Sequence, residues 1–340
     1  KSATMNFKSV DLVPPNSTVI LHLDLDLPIR EGKIVDNSRL TKSLSTINKL
    51  LNNNCQLVIV GHSGRPTFRD EKYTLRPMYL ELMSLLNNNY QSLFLENLDN
   101  IETIKLALSQ NQIIFLENIR FWPGETSNDP SFLQPLIDQS QAFVFDAIAV
   151  AHHASVSVTL HQFLPTYYGD NFIEEINQIQ RILTSHHPKT LIIGGAKSDK
   201  LDYLSELANI FDHVCLGGKL PQFTDKLVYA PNVFVSTLTP DTFDIDQNSI
   251  DHIKNLIENS QTVVWSGAMG FFENENGKNG TIEIAQSLGN CGASYKVIAG
   301  GDTRASIKEL NLIDKIDFVS SGGGVLLEFL AKGKLPAWEK

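Results

Sequence analysis

Two sets of residues in this sequence have the types and the spacing needed to hold an anion. In the second half of the chain, TLIIGGAKSDK at 190–200 passes from an apolar run into two glycines, and Lys197 and Lys200 follow. A buried strand that opens into a glycine turn brings backbone amides close to a ligand, and lysines add positive charge. The stretch therefore predicts an anion-binding turn.

The first half of the chain places polar and cationic side chains after its predicted strands. Asp24 and Asp26 share one face by the two-residue period of a strand. The cationic residues of this and later motifs are Arg39, His62, Arg65, Arg120, His152 and His153. Each alone has an ordinary explanation as a surface, turn or core residue, but at equivalent strand ends these side chains converge. Because a guanidinium binds two oxygens of a phosphate or carboxylate, we predict a shared anion site there.

Further glycine turns follow the later strands of the second half. AGGDTRAS at 299–306 and SSGGGVLLEFL at 320–330 place glycines at predicted helix starts, where bare amides can approach a phosphate. Asp302 suits either a Mg²⁺ ligand or a helix cap. Neither a Walker A loop nor a G-x-G-x-x-G fingerprint occurs, so nicotinamide chemistry has little support. Lysines, amides and a carboxylate together suit a nucleotide polyphosphate.

The elements that must position these residues alternate between short apolar runs and helical patterns, as parallel βαβ units do. Strands are predicted at 18–27, 56–61, 92–95, 112–116, 142–146, 190–194, 213–216, 233–237, 262–266, 295–299 and 318–321. Helices are predicted between them, for instance at 38–51, 75–86, 249–259 and 303–310. Apolar residues at Phe172, Ile176, Ile179 and Leu183 predict a further helix that bridges the halves.

The predicted fold class is therefore α/β, with two doubly wound parallel-sheet, Rossmann-like domains joined by a hinge helix. The expected boundaries are 1–165 for the first domain, 166–186 for the hinge and 187–340 for the second domain. A length of 340 residues agrees with about two domains.

Composition excludes some classes of protein. A formal net charge of −10 and a pI near 5.4 argue against nucleic-acid binding, which needs a basic face. Three separate cysteines without metal-ligand spacing indicate reduced thiols and a cytoplasmic protein. No apolar run approaches the ~18 residues of a membrane span, and KSATMNFKS lacks the apolar core of a signal peptide. The sequence does not reveal the origin of the residues before Met5.

Motifs from both halves resemble the signatures of the phosphoglycerate kinase family, in the family's order and over nearly the whole chain. They are GHSGRP, FLENIRFWPGE followed by NDP, FDAIAVAHHAS, IIGGAKSDK, VVWSGAMGFFE, AGGDT and SSGGGVLLEFLAKGKLP. One such motif would be weak evidence, whereas this many in order are specific. The resemblance implies reversible phosphoryl transfer between ATP and the carboxylate of 3-phosphoglycerate, giving 1,3-bisphosphoglycerate and ADP. It also implies a glycolytic, hinge-bending monomer.

The resemblance further implies roles for individual residues. Those implied to bind 3-phosphoglycerate, in the first domain, are Asp24, Asp26, Arg39, His62, Ser63, Gly64, Arg65, Arg120 and His153. Those implied to bind Mg-ATP or Mg-ADP, in the second, are Gly195, Lys197, Lys200, Glu273, Gly300, Gly301, Asp302 and Thr303, with Asp302 on the metal. Catalysis is implied for Arg39, Lys197, Lys200 and Gly323. The substrate carboxylate is the nucleophile, so positioning and charge neutralisation suffice.

The chain also departs from the family pattern and is shorter than family members usually are. AHHAS lacks the arginine of the family's AHRAHAS, and His153 would replace its charge only when protonated. GGAKSDK has one residue fewer between its lysines, which should change their relative direction. Little chain follows LGGK in the region that walls adenosine. The tail after Leu335 is brief, although the family's tail packs back on the first domain.

Because of these differences from the family pattern, two other functions remain possible interpretations of the sequence. One is a catalytically inactive relative that binds a phosphometabolite or a partner. The other is a different kinase, or an oxidoreductase, on a similar fold. Retention of Arg39, Lys197, Asp302 and the glycine helix start in one chain favours the active kinase over both.

Overall fold

The computed structural model describes residues 7–225 and 227–338, apart from the side chain of Asp302. The residues before Met5 lie outside this range. The chain divides into two compact units, one running to Glu175 and including the chain from Pro336, the other formed by Ile176–Leu335. Each contains a six-stranded parallel sheet with helices between its strands, so the predicted α/β class with two parallel sheets is confirmed. No described helix is long and apolar enough to cross a membrane.

The first unit is built around a buried central strand. Its strands are β1 (Thr18–Leu23), β2 (Ile29–Arg30), β3 (Lys33–Ile34), β4 (Gln56–Val60), β5 (Ser92–Leu95), β6 (Ile113–Leu116), β7 (Ala142–Asp146) and β8 (Thr166–Tyr168). Its helices are α1 (Ser38–Asn52), α2 (Arg76–Leu85), α3 (Ile101–Gln110), α4 (Gly124–Ser127) and α5 (Gln134–Ile137). The sheet order is β5-β6-β4-β1-β7-β8. Leu21 and Leu23 of β1 share a core with Leu40 and Ile47 of the amphipathic α1, which fixes the helix below the strand ends.

The second unit repeats this architecture. Its strands are β9 (Lys189–Ile193), β10 (His213–Leu216), β11 (Val233–Val235), β12 (Thr262–Ser266), β13 (Tyr295–Ala299) and β14 (Phe318–Ser320). After α6 (Asp170–Thr184), the helices are α7 (Leu204–Ile210), α8 (Gln247–Glu258), α9 (Asn279–Asn290), α10 (Gly301–Glu309) and α11 (Gly323–Lys332). The sheet order is β11-β10-β9-β12-β13-β14. The chain order reverses between β9 and β12, where open α/β sheets bind ligands.

Helix α6 begins in the first unit and ends in the second, and a buried charged residue holds each end. Asp146 accepts hydrogen bonds from the Phe172 amide at 2.9 Å and from the Thr46 hydroxyl at 2.8 Å. At the other end, the Lys189 ammonium donates to the carbonyls of Ile182 and Leu183, both at 2.9 Å. A carboxylate at the start and an ammonium at the end of a helix both complement its dipole.

Some predicted details of the elements were wrong. The first strand was expected to reach residue 27 but ends at Leu23, because Asp24 and Asp26 turn out to form polar contacts. The short β8 and the two-residue strands β2 and β3 carry too little pattern to be recognised. In α6 the buried residue near the end is Ile182, whereas Leu183 is 38% exposed.

Ala337 and Trp338 pack within the first unit. Ala337 donates its amide to the carbonyl of Ala151 at 3.1 Å and accepts from the Tyr168 hydroxyl at 3.3 Å. The ring of Trp338 meets those of Phe7 and Phe172 edge to face, with centroids 5.0 and 5.5 Å apart. Edge-to-face aromatic pairs add to the burial of apolar area, so Trp338 contributes to the first unit's core.

Candidate active site

Polar residues that follow β1, β4 and β6 are joined in one network at the carboxyl edge of the first sheet. The Arg39 guanidinium donates to a carboxylate oxygen of Asp24 at 3.2 Å and to the carbonyl of Asp26 at 3.0 Å. The Asp26 carboxylate accepts from the Gly64 amide at 2.9 Å. Arg120 donates to the Gly64 carbonyl at 2.5 Å. The structure thus brings together five of the residues predicted to bind an anion.

Burial and mutual charge set the electrostatics of this network. Burial raises the pKa of Asp24, and the adjacent Arg39 opposes that shift. Burial also lowers the pKa of the Arg120 guanidinium, opposed by Asp26 and Glu125. Burial, and then the charge of Arg120, hold the pKa of His62 well below its ordinary value. At neutral pH the arginines therefore carry the positive charge of the site, while His62 is neutral.

A cavity of about 540 Å³ is lined in part by Asp26, Ser63 and Gly64, whereas neither Arg39 nor Arg120 lines it. Gly64 has a φ of +61°, and a Cβ at that position would overlap the Tyr73 ring. The absence of a side chain at Gly64 therefore allows the turn after β4 to pack closely against the Tyr73 ring. A volume of this size suits a small ligand.

Two other predicted residues contribute less to the network. Arg65 is exposed and has no hydrogen-bond or ion-pair partner among the described residues, which leaves its guanidinium available to a ligand. His153 stacks near His152, with ring centroids 4.1 Å apart, and its charge is among those that depress the pKa of His62. Both histidines of AHHAS therefore lie near the anion site, and His153 is the one coupled to it.

His22, a buried histidine on β1, was not among the site residues predicted from the sequence. Its Nδ1 lies 2.9 Å from the Ser157 carbonyl, which can only accept, so Nδ1 carries the hydrogen. Its Nε2 has no hydrogen-bond partner among the described residues, and burial lowers the pKa of His22 to about 4. The sequence could have identified His22 as a neighbour of the site, because the two-residue period of β1 places it on the same face as Asp24.

The candidate site of the second unit is built from backbone. The Gly194 amide donates to the Ser266 carbonyl at 2.9 Å, and the Gly195 amide donates to the Ala268 carbonyl at 2.8 Å. A Cβ at Gly194 would overlap that Ala268 oxygen. Gly195 and Gly267 have φ values of +91° and +100°, which favour glycine. The turns after β9 and β12 therefore pack closely enough that only glycine fits.

The two lysines of GGAKSDK have different surroundings. Lys197 is exposed, precedes a 3-10 helix at Ser198–Tyr203, and has no hydrogen-bond or ion-pair partner in the described part of the chain. The Lys200 ammonium is partly buried and donates to the carbonyls of Gly194 and Ser266, at 2.8 and 3.3 Å. Lys197 has extended backbone at the N-cap, whereas Lys200 lies within the 3-10 helix, so the two lysines also differ in backbone conformation.

The later glycine turns are also tightly packed. The Thr303 hydroxyl is fully buried and accepts from the Gly267 amide at 2.8 Å, so this side chain joins two turns. Gly300 has a φ of +96° at the start of α10. At the start of α11, a Cβ on Gly323 would overlap the Ser266 hydroxyl, which has no hydrogen-bond partner among the described residues. Backbone and the buried Thr303 hydroxyl therefore hold these turns together.

The structure says less about the remaining residues that were predicted to bind a nucleotide. Glu273 is exposed. Gly301 begins α10, and the side chain of Asp302 lies outside the described part of the structure. Among the described residues no group of three or more His, Cys, Asp or Glu side chains could hold a metal. A Mg²⁺ ion bound with a nucleotide usually has one or two protein carboxylates and takes its other ligands from phosphates and water, so it does not need such a group.

Two doubly wound units, one with cationic side chains and the other with glycine turns at the strand ends, define a two-domain α/β protein suited to two anionic ligands. A family model described as phosphoglycerate kinase matches residues 10–230 and 224–334. The phosphoglycerate kinase of Thermus thermophilus is 30% identical over 383 aligned positions, covering 97% of this chain and 98% of the relative.

Solved structures similar to this chain are also of phosphoglycerate kinases. The structure of phosphoglycerate kinase from Coxiella burnetii matches with a TM-score of 0.77 at 26% identity, covering 98% of both chains. That from Pyrococcus horikoshii OT3 matches with a TM-score of 0.78 at 24% identity, which shows likeness of fold. The chain belongs to the phosphoglycerate kinase family.

Proposed function

We propose that this protein is a phosphoglycerate kinase, which transfers a phosphoryl group reversibly between ATP and the carboxylate of 3-phosphoglycerate. The observation that carries the proposal is the network of Arg39, Asp24, Asp26, Gly64 and Arg120 at the carboxyl edge of the first sheet. Family relatives named for this activity, and the glycine turns of the second unit, support it. The first domain would bind the glycerate and the second the nucleotide.

In the proposed glycerate site, the carboxylates orient the cations and the cations bind the substrate. Asp24 holds Arg39 in place, and Arg39 would contact the carboxylate or the transferring phosphoryl group. Arg65, Arg120, His62 and His153 would surround the phosphate of the substrate. Paired guanidinium hydrogen bonds suit its oxygens and fix its orientation. Asp26 would contact the substrate hydroxyl together with Asp24.

In the proposed nucleotide site, amides at the start of α11 would bind phosphate oxygens, and Gly195, whose own amide is held by the Ala268 carbonyl, would allow them a close approach. Lys197 is exposed beside the turn and would reach the phosphates. Glu273 would contact the ribose. Asp302 would bind Mg²⁺, which neutralises charge on the phosphates when it is bound with the nucleotide.

The direct test is a coupled assay in which Mg-ATP and 3-phosphoglycerate yield 1,3-bisphosphoglycerate, followed by its reduction. Lys197→Ala and Arg39→Ala should each lower kcat roughly a hundredfold, since each removes a cation that stabilises developing charge. Lys105→Ala, which removes an exposed cation from α3, is the matched control and should turn over at the wild-type rate.

The inactive relative is the competing proposal, favoured by the missing arginine of AHHAS and by the neutral His62. Absence of turnover with thermal protection by 3-phosphoglycerate would support it. We further propose a cytoplasmic, monomeric enzyme that closes about α6. The three free cysteines support a reducing compartment. Gel filtration of the protein at micromolar concentration tests the monomer.

A further inference from the structure

The side chain of Asn118 is fully buried and joins three separate segments of the first unit. It caps the 3-10 helix Ile119–Phe121, since its Oδ1 accepts from the Arg120 amide at 3.1 Å. Its Nδ2 donates to the carbonyls of Ser63 and Tyr73, both at 2.8 Å. The amide group of this one side chain therefore uses its oxygen and both of its N–H groups.

These contacts hold the turn after β4 from two sides. On one side, Asn118 binds the carbonyl of Ser63. On the other, a Cβ on the next residue, Gly64, would lie 2.4 Å from the Tyr73 ring, so the turn and the ring are in close contact. The backbone of Tyr73 is held by the same Asn118 amide. One side chain thus fixes both the turn and the residue whose ring packs on it.

The neighbouring residue Glu117 holds the segment that follows Tyr73. Its carboxylate is only 4% exposed and accepts from the Thr74 hydroxyl at 2.7 Å and from the amides of Leu75 and Asn118, both at 2.8 Å. Three donors satisfy a carboxylate that burial would otherwise destabilise. The start of α2 is therefore tied to the same short segment as the turn.

The turn held in this way orients two charged groups of the network. The Gly64 amide donates to the Asp26 carboxylate at 2.9 Å, and the Gly64 carbonyl accepts from the Arg120 guanidinium at 2.5 Å. Arg120 is thus held at its backbone by Asn118 and at its guanidinium by a turn that Asn118 also holds. A guanidinium binds two oxygens of an anion well only when its neighbours fix its orientation.

Asn232 of the second unit makes the same pair of bonds in a different place. Its Nδ2 donates to the carbonyls of Ala208 and Phe211, both at 2.9 Å. These atoms lie where β10 and β11 begin, at the edge opposite to the glycine turns. This residue therefore provides a comparison in which two equivalent hydrogen bonds serve the fold alone.

We propose that Asn118 is a positioning residue of the anion site in the first unit, which sets the turn after β4 and Arg120 relative to each other so that both bind one anion. This rests on the proposed function, in which the anion is 3-phosphoglycerate. Asn118 does not itself contact the substrate in this proposal.

The first test compares the two asparagines by isothermal titration calorimetry. Asn118→Ala should weaken 3-phosphoglycerate binding roughly tenfold, the effect of losing one or two hydrogen bonds that hold the geometry, with Mg-ADP binding unchanged. Asn232→Ala loses the same pair of bonds and should bind 3-phosphoglycerate as the wild type does. Wild-type affinity in Asn118→Ala would overturn the proposal. Equal losses in both variants would show an effect of stability alone and would also contradict it.

The second test asks whether Asn118 acts through Arg120, which a merely structural role would not require. In a double-mutant cycle, Asn118→Ala combined with Arg120→Ala should lose less 3-phosphoglycerate affinity than the sum of the two single losses. The reason is that the position of a guanidinium no longer matters once it has been removed. Losses that add fully would show that the two residues act independently, against the proposal.

A third variant applies if Asn118→Ala does not fold. Asn118→Asp keeps the size of the side chain and the acceptor for the Arg120 amide but removes the Nδ2 donor. It should also weaken 3-phosphoglycerate binding, and wild-type affinity in this variant would again overturn the proposal.

Hydrogen exchange tests the same geometry without a ligand. A peptide covering 62–65 should exchange faster in Asn118→Asp than in the wild type, and at the wild-type rate in Asn232→Ala. Unchanged exchange in Asn118→Asp would refute a positioning role. A wild type that neither turns over nor binds 3-phosphoglycerate would refute the proposed function instead, and the exchange rates would still decide whether Asn118 holds the turn.

Discussion

The two units hold their candidate sites by different means. In the first, side chains form the site, since Arg39 and Arg120 are oriented by carboxylates and by a backbone carbonyl. In the second, glycine turns form it, and the side chains of Lys200 and Thr303 bind the backbone. A site made of side chains is weakened by truncating them. A site made of backbone is instead broken by adding a side chain where none fits.

The largest expected effect follows from this difference. Gly194→Ala should abolish Mg-ADP binding in isothermal titration calorimetry and destabilise the protein by about 1–3 kcal/mol, because its Cβ would overlap the Ala268 carbonyl. The binding of 3-phosphoglycerate should survive at a temperature where the variant is folded. Gly292→Ala is the control, since nothing lies within 4 Å of its Cβ position. Normal nucleotide binding by Gly194→Ala would refute a backbone-built site.

An intermediate effect is expected in the first unit. Arg120→Ala should weaken 3-phosphoglycerate binding roughly tenfold to a hundredfold, the usual result of losing a charged hydrogen bond to an anion. Mg-ADP binding should be unchanged, measured by the same calorimetry. Lys105→Ala controls for the loss of one positive charge elsewhere on the unit. If Arg120→Ala and Lys105→Ala bind 3-phosphoglycerate equally, the arginine network is not its site.

The smallest expected effect concerns pH. The pKa of His62 is lowered by burial and by Arg120, and a bound anion would raise it, so binding favours the protonated form. Affinity for 3-phosphoglycerate should therefore rise as the pH falls toward the range in which the imidazole of the complex takes up a proton. Mg-ADP affinity should follow only the titration of the nucleotide itself.

Two variants isolate the contribution of histidine to this pH dependence. The substrate's own phosphate titrates near pH 6, so each variant is compared with the wild type under identical conditions. His62→Gln and His153→Gln should each flatten the profile. A wild-type profile equal to that of both variants would show that neither histidine replaces the missing arginine.

Much of the fold followed from pattern alone. The ends of β12 and β13 agree with their predictions, because buried central strands of parallel sheets are continuous apolar runs bounded by glycine. Prediction failed where pattern was weak, as in the three-residue β8, or where polar residues extended an apolar run, as at Asp24. His22 was overlooked because a lone histidine in an apolar strand gives no local signal of its neighbours.

The amino-acid sequence establishes which residue types stand at each strand end. These types indicate where anions can bind and which family the chain resembles. It could not distinguish Lys197 from Lys200, since both are lysines of one short motif. Only the tertiary structure placed the Lys200 ammonium on the carbonyl of Ser266, 66 residues further along the chain. The physical reason is that a charge belongs to its residue, whereas a hydrogen-bond partner depends on which strands the sheet brings side by side.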